Sequence, residues 1–149
     1  MPSNQIKLFT IGFTKKSAEQ FFEILKKSNI KTVIDTRLNN VSQLAGFAKK
    51  NDLKYFLKEF GGIDYVHLLD LAPTKEILDE YKKHRGQWSV YEQKFLKLIS
   101  ERQIENKVTP NLIDHGCLLC SESLPHNCHR SLVANYLKGK WYDISIQHL

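Results

Sequence analysis

The sequence lacks any apolar run near the roughly 20 residues that a membrane-spanning helix needs. Its first ten residues also lack the apolar segment of a secretory signal. Cysteine is scarce: the chain has three, and an odd number argues against the disulfide framework of a small secreted protein. We therefore expect a cytoplasmic protein with no membrane partner.

The chain is long enough for one ordinary globular domain. It has 149 residues, of which 42% are hydrophobic and 26% charged, a balance that argues against disorder. A chain of this length can bury about 70% of its unfolded surface without metal or disulfide support. No repeat, low-complexity tract or linker divides it, so we predict a single domain over residues 1–149.

The net charge is +6, which favours anionic partners such as nucleotides or nucleic acid. Most of the positive charge is lysine, with 18 lysines against four arginines. A solvated, lysine-rich surface without any specific partner would explain the same net charge. The placement of arginine is more informative. Arg37 and Arg130 both fall beside the candidate site described below, and a guanidinium offers a bidentate fork for phosphate or carboxylate.

Short apolar runs alternate with segments of helical period, which is typical of a parallel sheet built from βαβ units. The predicted strands are residues 6–11, 32–35, 64–68, 116–120 and 141–146, the last at an edge. The predicted helices are about 17–27, 52–60, 75–83, 89–102 and 128–137. The fold class is therefore α/β, a mostly parallel sheet of about five strands with helices on both faces.

Ligands of open parallel sheets bind beyond the carboxyl ends of the strands. Polar or small residues follow four predicted strands at that edge, namely Gly12, Asp35, Arg37, His67, Cys120 and Glu122. The start of the last helix adds Cys128, His129 and Arg130. Because these groups come from distant parts of the chain, their convergence on one edge predicts a functional site.

The segment from residue 120 to 130 carries the strongest signal. A strand leads through a loop into a helix that we predict to be capped by Asn127, and the free amides at a helix start attract anions. The same dipole favours the thiolate of a cysteine in the first turn. The helical wheel places His129 near the centre of the buried face, with Cys128 and Arg130 on its two flanks.

The first functional hypothesis is an enzyme that acts on an anionic, phosphate-bearing substrate, such as a nucleotide. Cys128 or Cys120 would be the nucleophile and His129 its base. The candidate catalytic residues are Cys120, Glu122, Cys128 and His129, with Glu122 or Asp35 orienting the imidazole. The candidate substrate-binding residues are Gly12, Asp35, Arg37, His67 and Arg130. No cofactor is expected.

Two other functions stay open at this point. A non-catalytic module for nucleotides or nucleic acid would use the lysine surplus and aromatic side chains for stacking, with Phe13, Trp88 and Tyr91 as candidates. A structural protein would use the polar cluster only to hold loops. In that case Arg130 would pair with Glu122, and Asp35 with Arg37.

The cysteines allow two further interpretations. Zinc ligation by Cys117, Cys120, Cys128 and His129 fits poorly, because residues 117 and 120 on one strand face opposite sides. Cys117 is better explained as an inert core residue. Cys120 and Cys128 bracket one loop, and they could form a disulfide or a nucleophile–resolving pair.

Several motifs carry a family resemblance. They are Thr10-Ile11-Gly12-Phe13-Thr14, Asp35-Thr36-Arg37, Tyr65 to Leu68, Leu119-Cys120-Ser121-Glu122 and Cys128-His129-Arg130. In these segments the chain resembles the family called domain of unknown function 488 (DUF488). The resemblance implies a compact α/β fold and a shared polar site, and it implies no particular reaction. One departure is Phe13, which stands where the family has histidine.

Overall fold

A computed structural model describes residues 5–39, 46–122, 128–141 and 143–149. Five strands form one sheet in which every pairing is parallel. The strands are β1 (Ile6–Gly12), β2 (Thr32–Asp35), β3 (Asp64–His67), β4 (Gly116–Cys120) and β5 (Ile144–His148). Their spatial order is β3-β2-β4-β1-β5. The predicted α/β class and the predicted number of strands are confirmed.

Six α-helices connect or flank these strands in the described ranges. They are α1 (Ala18–Lys27), α2 (Lys50–Gly61), α3 (Lys75–Lys82), α4 (Trp88–Glu101), α5 (Pro110–Ile113) and α6 (His129–Lys140). Single 3-10 turns cover Gly46–Ala48, Leu69–Leu71 and Ile104–Asn106. The one-turn α5 and the 3-10 turns lack an extended apolar period, and the sequence prediction missed them. No helix in the described ranges is long and apolar enough to cross a bilayer.

The sheet separates two hydrophobic cores, as the prediction of helices on both faces requires. On one face, α1 and α2 bury side chains such as Phe21 and Leu57 against the odd-numbered positions of β1 and β4. On the other face, α3, α4 and α6 cover Leu8, Ile34 and Leu118. Strands β2 and β4 are buried along their whole length, which explains their continuous apolar sequence.

The predicted helix signals hold for α1 and α2. Ser17 and Gln20 form a reciprocal capping box at the start of α1. Helix α2 ends at Gly61, and Gly62 adopts the left-handed conformation with φ 60°, which glycine accepts without a steric penalty.

The predicted starts of α4 and of the last strand are wrong. Helix α4 is preceded by Gln87 as its N-cap, so the predicted cap at Ser89 lies inside the helix. The last strand begins at Ile144 because Asp143 has a φ of 59°, a left-handed turn that interrupts an extended chain. The predicted edge position of this strand is confirmed.

Candidate functional site

The strand register brings the predicted residues to one edge of the sheet. Gly12 at the end of β1 is paired with Cys120 at the end of β4. Asp35 at the end of β2 lies beside His67 on one side and Leu119 on the other. The predicted convergence of distant residues at the carboxyl ends of the strands is therefore present in the fold.

Gly12 allows two other groups to approach the backbone of β1. A Cβ atom at this position would lie 1.4 Å from the Glu122 carbonyl oxygen and 2.9 Å from Nη1 of Arg130. The first distance is far below any van der Waals contact, so only glycine fits without moving the chain after β4. The structure thus shows a steric role for Gly12, and its predicted contact with substrate stays a prediction.

Two of the three cysteines meet above this glycine. The structure pairs Cys120 with Cys128 in a disulfide whose Cα atoms are 7.6 Å apart. The Nη1 atom of Arg130 lies 2.9 Å from Sγ of Cys120 and 3.6 Å from Sγ of Cys128. It also donates a hydrogen bond of 2.7 Å to the Glu122 carbonyl oxygen. One guanidinium therefore contacts both sulfurs and the backbone of the loop.

Arg130 is fully buried, and its charge lacks an ordinary partner. No carboxylate pairs with it within the described ranges, and its Nε and Nη2 atoms have no hydrogen-bond acceptor there. Burial lowers the pKa of Arg130 to about 10, so the group stays charged at neutral pH. Burial, followed by the Arg130 charge, also lowers the pKa of Lys16 and of His148. The surroundings of the two sulfurs therefore favour negative charge.

The start of α6 adds to this preference. Cys128 itself is the N-cap, and its side chain makes no capping hydrogen bond. The predicted cap, Asn127, lies outside the described residues, and the observed cap corrects that prediction by one position. A sulfur at a helix N-terminus lies near the positive end of the helix dipole, which stabilises a thiolate.

The orientation of α6 differs from the helical-wheel prediction. Arg130 lies on the buried face, and not on its flank, because it continues the stripe formed by Val133, Ala134 and Leu137. His129 is only partly buried. With Arg130 on the buried face, its guanidinium lies under the ends of the strands. The His129 imidazole lies in the wall of a pocket.

His129 is held by Thr36. Its Nε2 atom lies 2.8 Å from the Thr36 carbonyl oxygen and 3.0 Å from Oγ1 of Thr36. Because the Thr36 hydroxyl donates to the Leu119 carbonyl, the ring nitrogen must be the donor in both contacts. Nδ1 is then the acceptor of the neutral ring. The sequence hypothesis that Glu122 or Asp35 orients the imidazole is replaced by these contacts with Thr36.

Burial lowers the pKa of His129 from its usual 6.5 to about 4. The unfolded chain therefore binds this proton more tightly, and the free energy of unfolding should fall as the pH drops from about 6.5 towards 4. We expect His129 to contribute about 2–3 kcal/mol to this loss. Urea unfolding from pH 7 to pH 4.5 measures it, by comparison of the wild type with His129→Gln.

The exposed His84 supplies the control, because His84→Gln should retain the wild-type slope. The pKa of His148 is also lowered, so the variant should lose only part of the pH dependence. Equal slopes in the wild type and His129→Gln would contradict a His129 that is neutral in the folded protein.

A cavity of about 200 Å³ opens beside the cysteine pair. Its wall includes Arg37, Tyr81, Lys82, Trp88, Cys128 and His129. Tyr81 packs edge-on against Trp88, with ring centroids 5.6 Å apart, and the rings of Trp88 and Tyr91 are stacked at 5.0 Å. The pocket thus combines a cysteine and a neutral imidazole with cationic and aromatic groups.

Asp35 and Arg37 form a buried network at the end of β2. Two hydrogen bonds of 2.8 Å join the guanidinium to the carboxylate, and the Tyr65 hydroxyl donates to the same carboxylate. His67 donates through Nε2 to the Arg37 carbonyl oxygen. The predicted pairing of Asp35 with Arg37 is present. Within the described ranges, Nη1 of Arg37 has no acceptor.

The predicted pairing of Arg130 with the Glu122 side chain is wrong. Arg130 contacts only the backbone carbonyl of Glu122, whereas the Glu122 carboxylate forms an ion pair with Lys82 from α3. That pair is half exposed, so it adds little to stability. It lies in the wall of the pocket.

Cys117 faces the opposite core. It packs among the apolar residues under α1 and α2, and burial raises its thiol pKa well above the usual range. The prediction that Cys117 is a core residue is confirmed. Because its side chain points away from Cys120 and Cys128, these three thiols cannot ligate one metal ion.

The residues that the sequence prediction missed include Thr36, which holds His129, and Tyr81 and Lys82, which line the pocket. Thr36 sits between two residues that the sequence did indicate, and its signal is a small polar residue directly after a buried strand. Lys82 and Tyr81 lie on α3, and nothing local in the sequence indicates that this helix packs over the strand ends. Phe13 lies under the Arg37 guanidinium, so it is a core contact and not a stacking surface.

Comparison with known proteins adds one finding. No curated protein and no solved structure matches the chain. The profile of the family described as "Domain of unknown function DUF488" matches residues 17–137. This match includes the strand ends at Asp35 and Cys120 and the start of α6. The chain therefore belongs to the DUF488 family.

Proposed function

We propose that this protein is a thiol-dependent enzyme that acts on an anionic, phosphate-bearing substrate, with Cys128 as the nucleophile. The observation that carries the proposal is the contact of Arg130 with both cysteine sulfurs. A buried guanidinium without a carboxylate is costly unless another negative group lies beside it. In the reduced protein a thiolate is that group.

Cys128 is a better nucleophile candidate than Cys120. Cys128 lines the pocket and lies at the N-terminus of α6, so substrate and helix dipole both reach it. Both cysteines are buried, and of the two it is Cys128 that lines the pocket, whereas Cys120 lies at the end of β4. Its sulfur is placed to interact with Cys128 rather than with a ligand.

His129 serves as a proton acceptor in this proposal. The thiolate is already stabilised by Arg130 and the helix, so no base is needed to form it. Thr36 fixes the ring with Nε2–H as donor, and this leaves Nδ1 to accept a proton from an attacking water. Its pKa of about 4 keeps the ring neutral at physiological pH.

The chemistry then follows two displacement steps. The Cys128 sulfur forms a bond to the electrophilic atom of the substrate while the leaving group departs with its electron pair. Water then attacks that atom, His129 takes the water proton, and the thiolate is released. The anion would be held by Lys82, by Nη1 of Arg37 and by the first amides of α6.

The proposal predicts selective alkylation of Cys128 in the reduced protein. We expect its apparent pKa to lie at least one unit below the roughly 8.5 of a free thiol. The measurement is the rate of iodoacetamide labelling between pH 5 and 10, resolved by peptide mass spectrometry. Cys117 is the internal control and should stay unlabelled until the protein unfolds, because it is fully buried. A Cys128 pKa at or above that of a free thiol would overturn the proposal.

A second function is favoured by the aromatic wall of the pocket. Tyr81, Trp88 and Lys82 would suit a nucleobase and its phosphate in a non-catalytic binding module. A thermal-shift screen of nucleotides, sugar phosphates and oligonucleotides identifies the ligand class, since a ligand stabilises the state that it binds. If Cys128→Ser binds the ligand unchanged and no ligand is ever turned over, the binding module is the better description.

A further inference from the structure

We infer that Cys120 is the resolving thiol of Cys128, so that a hydroperoxide converts the pocket thiol into a reversible disulfide. The inference rests on the proposed function only in naming Cys128 as the reactive thiol. Its own basis is the pairing of these two cysteines around one guanidinium. In this inference Cys128 is the site that small hydroperoxides oxidise, and Cys120 is the thiol that forms the disulfide with it.

The first argument is the selectivity of the pairing. The chain has three cysteines, and Cys117 lies only three residues from Cys120. Cys117 nevertheless points into the other core, so strand alternation excludes it from any exchange with the pair. The fold therefore leaves Cys128 one possible partner within the molecule.

The second argument is the spacing of the two cysteines. The Cα atoms of Cys120 and Cys128 are 7.6 Å apart, whereas most disulfides have about 4.4–6.8 Å. Two separate thiols fit this spacing as it stands, whereas the disulfide requires the two Cα atoms to approach by about 1 Å. The two sulfurs are therefore close enough to react after a small movement of the backbone.

The third argument is the charge at the pair. Oxidation by peroxide requires a thiolate, and Arg130 is the only cation that contacts both sulfurs in the described part of the chain. When the disulfide forms, Arg130 keeps its hydrogen bond to the Glu122 carbonyl. The same residue can therefore stabilise the thiolate before oxidation and remain bonded afterwards.

The reaction balances with a hydroperoxide as the oxidant. The Cys128 thiolate attacks the peroxide oxygen, the O–O bond breaks, and a proton from solvent completes the alcohol or water that leaves. The Cys128 sulfenic acid then reacts with the Cys120 thiol to give the disulfide and one water. A dithiol such as thioredoxin or dithiothreitol restores both thiols by exchange.

This step has a direct functional consequence. A sulfur that is bound to Cys120 is no longer a nucleophile, so oxidation stops the proposed chemistry. It also protects Cys128 from sulfinic and sulfonic acids, which are not recovered by thiols. Cys120 thus replaces irreversible oxidation of Cys128 by a reversible disulfide that inactivates the enzyme until it is reduced.

The test uses the purified full chain, reduced and then treated with hydrogen peroxide. The reaction is quenched with N-ethylmaleimide under denaturing conditions and digested with trypsin and a glutamate-specific protease. Cleavage after Glu122 separates Cys117 and Cys120 from Cys128, which lies in residues 123–130. In the oxidised wild type we expect a disulfide to join these two peptides. The mass of the joined pair should be two hydrogens below the sum of the two reduced peptides. After dithiothreitol, both thiols should again be fully alkylated.

Matched variants identify the resolving residue. In Cys120→Ser, peroxide should add two or three oxygens to Cys128, and at least half of its alkylation should stay lost after dithiothreitol. Cys117→Ser should behave like the wild type. The proposal is overturned if the wild type accumulates the sulfinic acid at Cys128, if the cross-linked peptide requires Cys117, or if Cys120→Ser recovers fully. The wild-type peptide map decides the question even if Cys120→Ser fails to fold.

Failure here can be distinguished from failure of the proposed function. A low pKa of Cys128 without any cross-link would remove the resolving role and leave the thiol enzyme intact. A cross-link between residues 120 and 128, found together with an ordinary thiol pKa of Cys128, would support the resolving role of Cys120 and overturn the proposed thiol enzyme.

Discussion

Replacing Gly12 by alanine should lower the free energy of unfolding by about 3 kcal/mol or more. The new Cβ would lie 1.4 Å from the Glu122 carbonyl oxygen. Neither atom can rotate away, because the backbone fixes the position of the Cβ and the oxygen is itself a backbone atom. Overpacking a well-fitted site costs about 1–3 kcal/mol, and cases that force the backbone to move exceed that range. Urea unfolding at pH 7 under reducing conditions measures the change.

Gly139 in α6 supplies the matched control. A Cβ atom there has no neighbour within 4 Å, and alanine is the better helix former, so Gly139→Ala should be neutral or stabilising by up to about 1 kcal/mol. Gly12→Ala should also slow alkylation of Cys128, because it displaces the chain that Arg130 holds. A stable Gly12→Ala protein with wild-type labelling would show that Glu122 does not pack against Gly12 as described.

Removing the charge of Arg130 should reduce the labelling rate of reduced Cys128 at pH 7 by about 100-fold. An opposite charge within hydrogen-bond distance lowers a pKa by about 1–3 units, and the reactive fraction of thiolate follows that shift. Arg130→Met keeps an unbranched apolar side chain in place of the aliphatic part of arginine and removes the guanidinium. The full pH profile of iodoacetamide labelling should then move to higher pH with an unchanged plateau.

Stability and reactivity should separate in this variant. Burying a guanidinium without an ion partner is unfavourable, so replacing it by an apolar side chain costs little. We expect the free energy of unfolding of Arg130→Met to stay within about 2 kcal/mol of the wild type. Arg130→Lys should show an intermediate shift, and the exposed Arg85→Met should show none. Unchanged labelling in Arg130→Met would mean that the guanidinium does not activate the thiol.

Most of the sheet was predictable because its strands have strong local signals. Strands β2 and β4 have the predicted boundaries, since both are buried and continuously apolar. The start of α1 was equally clear, because Ser17 and Gln20 need no tertiary contact to form a capping box. The start of β5 was missed, because the left-handed turn at Asp143 is unusual for a residue other than glycine.

The residues that meet at the site could be predicted from the sequence, but their hydrogen-bond partners could not. Strand ends in a parallel sheet must meet, so the approach of Gly12 to Cys120 followed from topology alone. Which donor meets which acceptor depends on the rotation of α6 about its axis. Arg130 lies on the buried face of α6, where it contacts the sulfurs, and His129 is bonded to Thr36. The predicted rotation places His129 at the centre of that face. No local pattern encodes such a rotation.

The sheet order also bears on the synthesis of the chain. Strand β1 is synthesised before the other four strands, yet both of its neighbours, β4 and β5, are the last two strands of the sheet. Contacts between such distant segments are slow to form. The apolar β1 therefore has no backbone partners until β4 and β5 have been synthesised. During that interval we expect it to depend on early packing against α1, or on chaperones, to escape aggregation.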